Sequence, residues 1–355
     1  MGPDPENSVV DNYLRKFEMY TDQFSRFLYF KANRETFDFI IIGAGSAGSV
    51  VANRLSEVNH WNILLLEAGP DPPIESLIPR FDSSLYGSYY DWKYLMKRGD
   101  DSSLGFIGER VPWPRGKMLG GSSSINGMVY MRGKSGDYQR WVDAGNPSWT
   151  PQNTLFYFNK AENFQDRELL KNPDKIINIY ASREVILSAG SINTPQLLML
   201  SGLGPQEHLE EIGIETKLNL PGVGKNLQDH IYVPIPIFGD EPGPEDKGKI
   251  SINAFLQRMQ LQECDELQFE SNDYWRCILV NLSSTLFHPI GTAKMGPDPE
   301  NSVVDNYLRV HGVRNLRVID ASVMPDSPSG NTNGPTIMIG EMGSDMIKSH
   351  YSILL

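Results

Sequence analysis

The period of apolar and polar residues changes along this chain, and each change predicts an element. "FDFIII" (37–42) is an unbroken apolar run rich in β-branched residues, which predicts a buried strand. "GAGSAG" (43–48) follows, then "SVVANRLSEV" (49–58) with helical spacing, then "NILLLE" (62–67), a second short apolar run. Together they predict strand, glycine turn, helix and strand, one βαβ unit. Residues 70–115 are rich in Pro, Gly and Asp and read as loop. Further on, "DYQRWVDAG" (137–145) predicts a short helix and "REVILSAG" (183–190) a strand ending in glycine. "NTPQLLMLSG" (193–202) opens with an Asn able to cap and a Pro in the first turn, so a helix is expected there. Residues 233–250 form a Pro, Gly and acidic loop. "ESNDYWRCILVNLSST" (270–285) has helical spacing, "NLRVID" (315–320) reads as a strand and "TIMIGEMGSDMI" (336–347) as a helix. The fold class expected is α/β, with a βαβ unit at the front.

Composition narrows the function classes. A hydrophobic content of 40% over 355 residues is enough for one large core or two smaller ones. The formal net charge of −12 argues against nucleic acid or an anionic membrane surface as partner and favours a small or uncharged ligand. No apolar run reaches membrane-spanning length. No basic region followed by an apolar stretch opens the chain, so no signal peptide is expected as written, and the compartment stays unassigned. The two cysteines, Cys264 and Cys277, have no metal-ligand spacing; they are expected to be free thiols, and no metal site is expected.

One feature is a duplication. "MGPDPENSVVDNYLR" stands at 1–15 and again at 295–309. A single copy so far away is not a repeat architecture. Only the second copy has "HPIGTAK" before it and "HGVRNLRVIDAS" after it, so it is the copy expected to fold with the rest. The first is expected to be a solvated tail. Residues 16–36 fit either a short helix or a leader.

The glycine turn has the spacing of a dinucleotide site. Gly43 allows the tight turn, Gly45 lets the backbone approach a pyrophosphate, and Gly48 lets the helix pack on the strand. The helix starting near Ser46 directs its first N–H groups at the anion. Glu67, nineteen residues after Gly48, can accept from ribose hydroxyls and would repel a 2′-phosphate. The fingerprint does not separate FAD from NAD, so an NAD-dependent dehydrogenase stays open at this point.

Seven stretches taken together resemble the glucose–methanol–choline (GMC) oxidoreductases, and most closely their insect glucose-dehydrogenase-like branch. They are "FIIIGAGSAG", "GGSSSINGMVYMRG", "GSINTPQLLMLSGLGP", "GKNLQDH", "HPIGTAKMG", "VIDASVMP" and "NTNGPTIMIGE", in family order, covering most of 37–149, 181–232 and 272–349. The resemblance implies a Rossmann-like FAD-binding domain with a substrate domain, and FAD rather than NAD as cofactor. It implies FAD contacts at Ser122, Asn126, Gly127 and Val129, and at Asp320 and Ala321. Asp320 is equally suited to a structural cap. Some relatives attach FAD through a His just before the Asn; Ile125 stands there, which implies non-covalent FAD. His288 matches the family's catalytic base and Asn333 its His or Asn partner. The implied reaction is oxidation of an alcohol or sugar CH–OH group, with a quinone or oxygen as electron acceptor.

The resemblance also implies losses. Family members carry longer segments between 164 and 183 and between 240 and 270, so the substrate domain is expected to be reduced. The organisation expected is a tail and leader (1–36), FAD-domain parts (37–150 and 181–232) with a shortened connection (151–180) between them, a substrate-domain remnant (233–271) and a C-terminal segment with the catalytic residues (272–355). The competing function is an inactive nucleotide-binding remnant of such an enzyme.

Overall fold

A computed structural model describes residues 36–78, 81–162, 180–235, 237–238, 255–256, 258–259 and 261–352. The first copy of the duplicated segment, residues 16–35 of the stretch after it and much of the shortened connection lie outside the described residues. Lys93–Trp113 and His230–Phe287 form a smaller compact unit, and the other described residues a larger one.

The larger unit is built on a four-stranded parallel sheet. β1 (Thr36–Ile42), α1 (Ser46–Ser56) and β2 (Ile63–Leu66) form the expected βαβ unit. Further along lie helices α2 (Ser135–Asp143) and α3 (Pro151–Ala161). β3 (Tyr180–Leu187) leads into α4 (Gly190–Leu200). β4 (Leu316–Val318) and α5 (Asn333–His350) complete the unit. The strand order is β4-β3-β1-β2. The chain therefore leaves β1 on one side for β2 and on the other for β3, and the crevice at the carboxyl ends of β1 and β3 is where such sheets receive ligands. Ile42 pairs with Leu66 on one side and Leu187 on the other, so the three strands end level.

Burial explains the apolar runs. Phe39, Ile41, Leu55, Ile186, Val318, Ile319, Met338 and Ile339 are buried in one cluster that α1 and α5 cover. A strand buried on both faces reads as a continuous apolar run, which is the pattern of "FDFIII". The second copy of the duplicated segment belongs to this core: Met295, Val303, Val304 and Leu308 are buried in it. α3, not expected from periodicity, starts at a Thr150 cap whose side chain accepts from the Asn153 N–H, with Pro151 in the first position.

The smaller unit differs from expectation in two places. Tyr94–Lys97 and Arg110–Trp113 pair as an antiparallel hairpin inside the stretch expected to be loop. Cys264 and Cys277 are joined in a disulfide, which corrects the expectation of free thiols. Helix Asn272–Leu282 packs against the turn Gln262–Cys264, bringing the two Cα atoms to 5.9 Å, within bridging range. Tyr274 and Ile278 are buried around the bridge.

Candidate active site

The larger unit gathers four separated stretches at the β1–β3 crevice. The chain leaves β1 through Gly43, whose φ is +104°. A Cβ on Gly43 would stand 2.4 Å from the Ser188 carbonyl oxygen at the end of β3, and one on Gly48 1.9 Å from the Gly43 carbonyl oxygen. Neither position has room for a side chain: the first because two strand ends meet there, the second because α1 rises directly over the turn. Gly45, the residue before α1, is different. A Cβ there would meet no protein atom within 4 Å. Open space thus faces the first turn of α1, where unpaired N–H groups favour an anion.

Glu67 closes this turn from the side of β2. Its two carboxylate oxygens accept from the Ala44 N–H at 2.9 Å and the Gly69 N–H at 3.0 Å. Burial raises its pKa above the ordinary glutamate value, against the pull of those backbone bonds. Each oxygen has a second lone pair, so a ribose hydroxyl can still be received.

The Gly/Ser stretch lies against the same turn. The Gly120 N–H donates to the Ala44 carbonyl at 2.8 Å. The Ser122 hydroxyl accepts from the Gly116 N–H at 3.2 Å, and the Asn126 amide oxygen from the Met128 N–H at 2.9 Å. A Cβ on Gly127 would meet nothing within 4 Å. Next in the chain, Met128, Val129, Tyr130 and Met131 are all between 43% and 49% exposed. Four consecutive exposed apolar residues beside an anion-ready helix end suit a ligand that joins a phosphate to a flat apolar ring.

The C-terminal residues arrive at the same place. The hydroxyl of Ser46 donates to the amide oxygen of Asn333 at 2.6 Å. A Cβ on Gly334 would stand 2.5 Å from the Met131 carbonyl oxygen, so the start of α5 touches the 128–131 stretch. Two residues before Asn333, the Asn331 amide nitrogen lies 3.1 Å from Nε2 of His288. The backbone N–H of His288 donates to Asp229 at 2.8 Å. The residue beside His288 is therefore Asn331, while the amide of Asn333 is turned to α1. The resemblance implies Asn333 as the partner of His288; the contact in the structure is made by Asn331, and nothing in "NTN" itself says which asparagine lies outside the helix.

Asp320 serves as a cap. It accepts from the Gly190 N–H at 2.9 Å, the Thr194 hydroxyl at 2.6 Å and the Ser322 N–H at 2.8 Å, closing the start of α4. Burial raises its pKa, and these bonds act in the opposite sense. Ala321 accepts the Gly291 N–H through its carbonyl at 3.3 Å. Among the described residues, no group of three His, Cys, Asp or Glu could hold a metal ion, and no helix is long and apolar enough to cross a membrane.

Comparison with known proteins identifies the family. Family models described as GMC oxidoreductase match residues 37–179 and 168–232 with the N-terminal part and 243–340 with the C-terminal part. Ecdysone oxidase of Bombyx mori is 27% identical over 560 aligned positions, covering 90% of this chain and 83% of that protein. Glucose dehydrogenase [FAD, quinone] of Drosophila melanogaster is 26% identical over 542 positions, covering 88% and 87%. Both aligned spans exceed the whole length of this chain, so these relatives carry segments that it lacks. A formate oxidase variant of Aspergillus oryzae has the same fold, with a TM-score of 0.70 at 21% identity over 90% of this chain and 99% of that one. With its parallel sheet, its glycine turn and family models matched over most of its length, the chain belongs to the GMC oxidoreductase family.

Proposed function

We propose that this protein is an FAD-dependent oxidoreductase acting on the CH–OH group of a small alcohol or sugar. The observation that carries the reading is the His288–Asn331 pair, linked through Asn333 and Ser46 to the first turn of α1. FAD, when bound, supplies the two-electron acceptor for the hydride that leaves the alcohol carbon.

The residues present fit that cofactor. The open space at Gly45 and the first turn of α1 would take the pyrophosphate. Glu67 would receive a ribose hydroxyl, and the stretch from Ser122 to Val129 would lie along the rest, through its Gly127 backbone and exposed apolar side chains. Ile125 is buried with Leu85 and Met118 and has no group able to form a covalent link, so FAD would be held non-covalently.

His288 and Asn331 would divide the work on the hydroxyl. A neutral imidazole has an unprotonated nitrogen; in this structure Nε2 faces the Asn331 amide nitrogen. A substrate hydroxyl that replaces this contact donates its proton to Nε2 and accepts an N–H from Asn331. His288 then holds the proton at Nε2 while Asn331 stabilises the charge developing on oxygen, without titrating itself.

Purified protein tests this directly. A flavin spectrum that survives gel filtration and is bleached anaerobically by an alcohol or sugar is expected. His288→Ala is expected to keep the flavin and lose the bleaching. A colourless protein, tightly bound NAD on extraction, or unchanged bleaching in that variant would overturn the reading. Re-oxidation of the bleached protein by oxygen or by a quinone then identifies the acceptor.

A further inference from the structure

We propose that Asp229 and Asp137 are positioning residues that hold the His288–Asn331 pair from behind, Asp229 through the backbone of His288 and Asp137 through Ser329, two residues before Asn331. This deepens the function proposed above and rests on it.

The hold on His288 replaces a backbone contact with a side chain. Gln228 and Ile290 exchange two backbone hydrogen bonds, at 3.2 and 2.9 Å. At the next position the His288 N–H is taken by the Asp229 carboxylate, at 2.8 Å. A side-chain acceptor lets the backbone at His288 depart from the ladder and turn its ring toward Asn331 while its N–H stays bonded. Arg115 attracts Asp229. Burial pulls the Arg115 pKa down to about 10 against the upward pull of Asp229 and Asp91. A bond from an N–H to a carboxylate is stronger than one to a neutral acceptor.

The hold on Asn331 comes from α2. Asp137 is 1% exposed. One of its carboxylate oxygens accepts from the Ser329 hydroxyl at 2.6 Å, and the other from the Ser329 N–H at 2.8 Å and the Lys134 N–H at 2.7 Å. Arg140, one turn on, donates to the Ser327 carbonyl at 3.0 Å and pairs with Asp326. The indole N–H of Trp141 donates to the Asp326 carbonyl at 3.0 Å. Three side chains of one helix thus grip 326–329, a stretch that belongs to neither helix nor strand, and hold its backbone in place. The helix is itself fixed, because Tyr138 and Trp141 are buried in the core. Burial pushes the Asp137 carboxyl upward, but the bonds from Ser329 and the Lys134 backbone, with Arg140, bring it below the ordinary aspartate value. The grip is therefore ionised at neutral pH.

The Lys134 bond shows that Asp137 also caps α2, so a test must separate capping from positioning. Ser329→Ala does this: it removes one bond to the gripped stretch and leaves the cap. Asp229→Asn keeps an acceptor oxygen for the His288 N–H, whereas Asp229→Ala keeps none. The experiment uses the full chain loaded with flavin and labelled with 15N in its six histidines, the His288 signal being assigned by its loss in His288→Gln. Two quantities are read: the Nε2 resonance of His288, and the limiting rate of flavin reduction by an alcohol with its concentration dependence. Asp229→Ala and Asp137→Ala are expected to shift the resonance and lower the limiting rate about 10- to 100-fold, with half-saturation changed less than about twofold. Asp229→Asn and Ser329→Ala should fall between these and the unmodified protein. If Asp137→Ala does not fold, Ser329→Ala carries the decision for that carboxylate. An unshifted His288 resonance in both Asp229→Ala and Ser329→Ala overturns the proposal, whatever the rates. If the resonance shifts but no alcohol reduces the unmodified protein, the proposed function falls and the positioning stands.

Discussion

Ser46 and Asn333, 287 residues apart, share a 2.6 Å hydrogen bond that joins the first turn of α1 to the first turn of α5. Further along the same two helices, Arg54 binds Glu341 through two bonds of 2.7 and 2.8 Å. The helices are thus pinned at two levels, and their positive ends open at one place. Asn331 lies two residues before that joint, outside α5, so the placing of its amide against His288 depends on how the start of α5 is held.

This division between the two asparagines gives a first prediction. Asn333→Ala removes the Ser46 bond, worth about 1 kcal/mol. It is expected to lower stability by that amount in denaturant titration and to weaken flavin retention. Asn331→Ala touches neither helix joint. It should retain flavin and lower the limiting rate of alcohol-driven flavin reduction about 100-fold, the order seen when one donor to a developing oxyanion is removed. The opposite pattern would make Asn333 the residue that meets the hydroxyl.

The glycines of the turn separate folding from ligand binding. Gly48→Ala places a methyl 1.9 Å from a backbone oxygen, where no rotamer change relieves it. A cost of several kcal/mol, roughly the upper range for single substitutions, is expected, with little soluble protein recovered. Gly45→Ala meets no protein atom within 4 Å. Its melting temperature without cofactor should match that of the unmodified protein, while its flavin content falls sharply. A normal flavin content in Gly45→Ala would place the pyrophosphate somewhere else.

Much of this site was legible because its elements are local. The run 37–42 and the actual strand Thr36–Ile42 differ by one residue, and the glycine turn announces the helix that follows. α5 begins at Asn333, three residues before the apolar pattern at 336, because Pro335 is tolerated in a first turn whose N–H groups lack helical partners. What stayed hidden depends on distant contacts. The hairpin at 94–113 has only four residues per strand, too few for alternation to stand out from its Pro, Gly and Asp surroundings. That Asn331 rather than Asn333 touches His288 follows from where α5 starts, and Asp137 meets Ser329 only because α2 packs beside 326–329.

The disulfide supplies a third prediction, confined to the smaller unit. It closes a loop with a sequence separation of 13, for which chain entropy gives about 3 kcal/mol. Cys264→Ser with Cys277→Ser should leave flavin binding in place, since every residue assigned to the cofactor lies in the larger unit. Limited proteolysis should then cut within 261–282 far faster than in the oxidised protein. Equal resistance would mean that the buried Tyr274 and Ile278 cluster holds this region without the bridge.

Glu67 makes the acid side of the stability profile informative. Burial raises its folded-state pKa above the ordinary value of 4.5. A carboxyl that binds its proton more tightly when folded contributes stability at low pH and loses it as pH rises from the unfolded pKa through the raised folded one. Glu67→Gln removes that titration; it also forfeits one of the two bonds to Ala44 and Gly69, a loss that does not vary with pH. The melting temperature of Glu67→Gln relative to the unmodified protein, both without cofactor, should therefore rise as pH climbs above the ordinary glutamate value. Flavin retention should move the other way, because only the ionised glutamate offers all its lone pairs to a ribose hydroxyl. If Glu67→Gln instead loses ground in melting temperature as pH rises, the two backbone N–H groups outweigh burial. The carboxylate would then be a structural anchor for the glycine turn, ionised at little cost in the absence of any ribose.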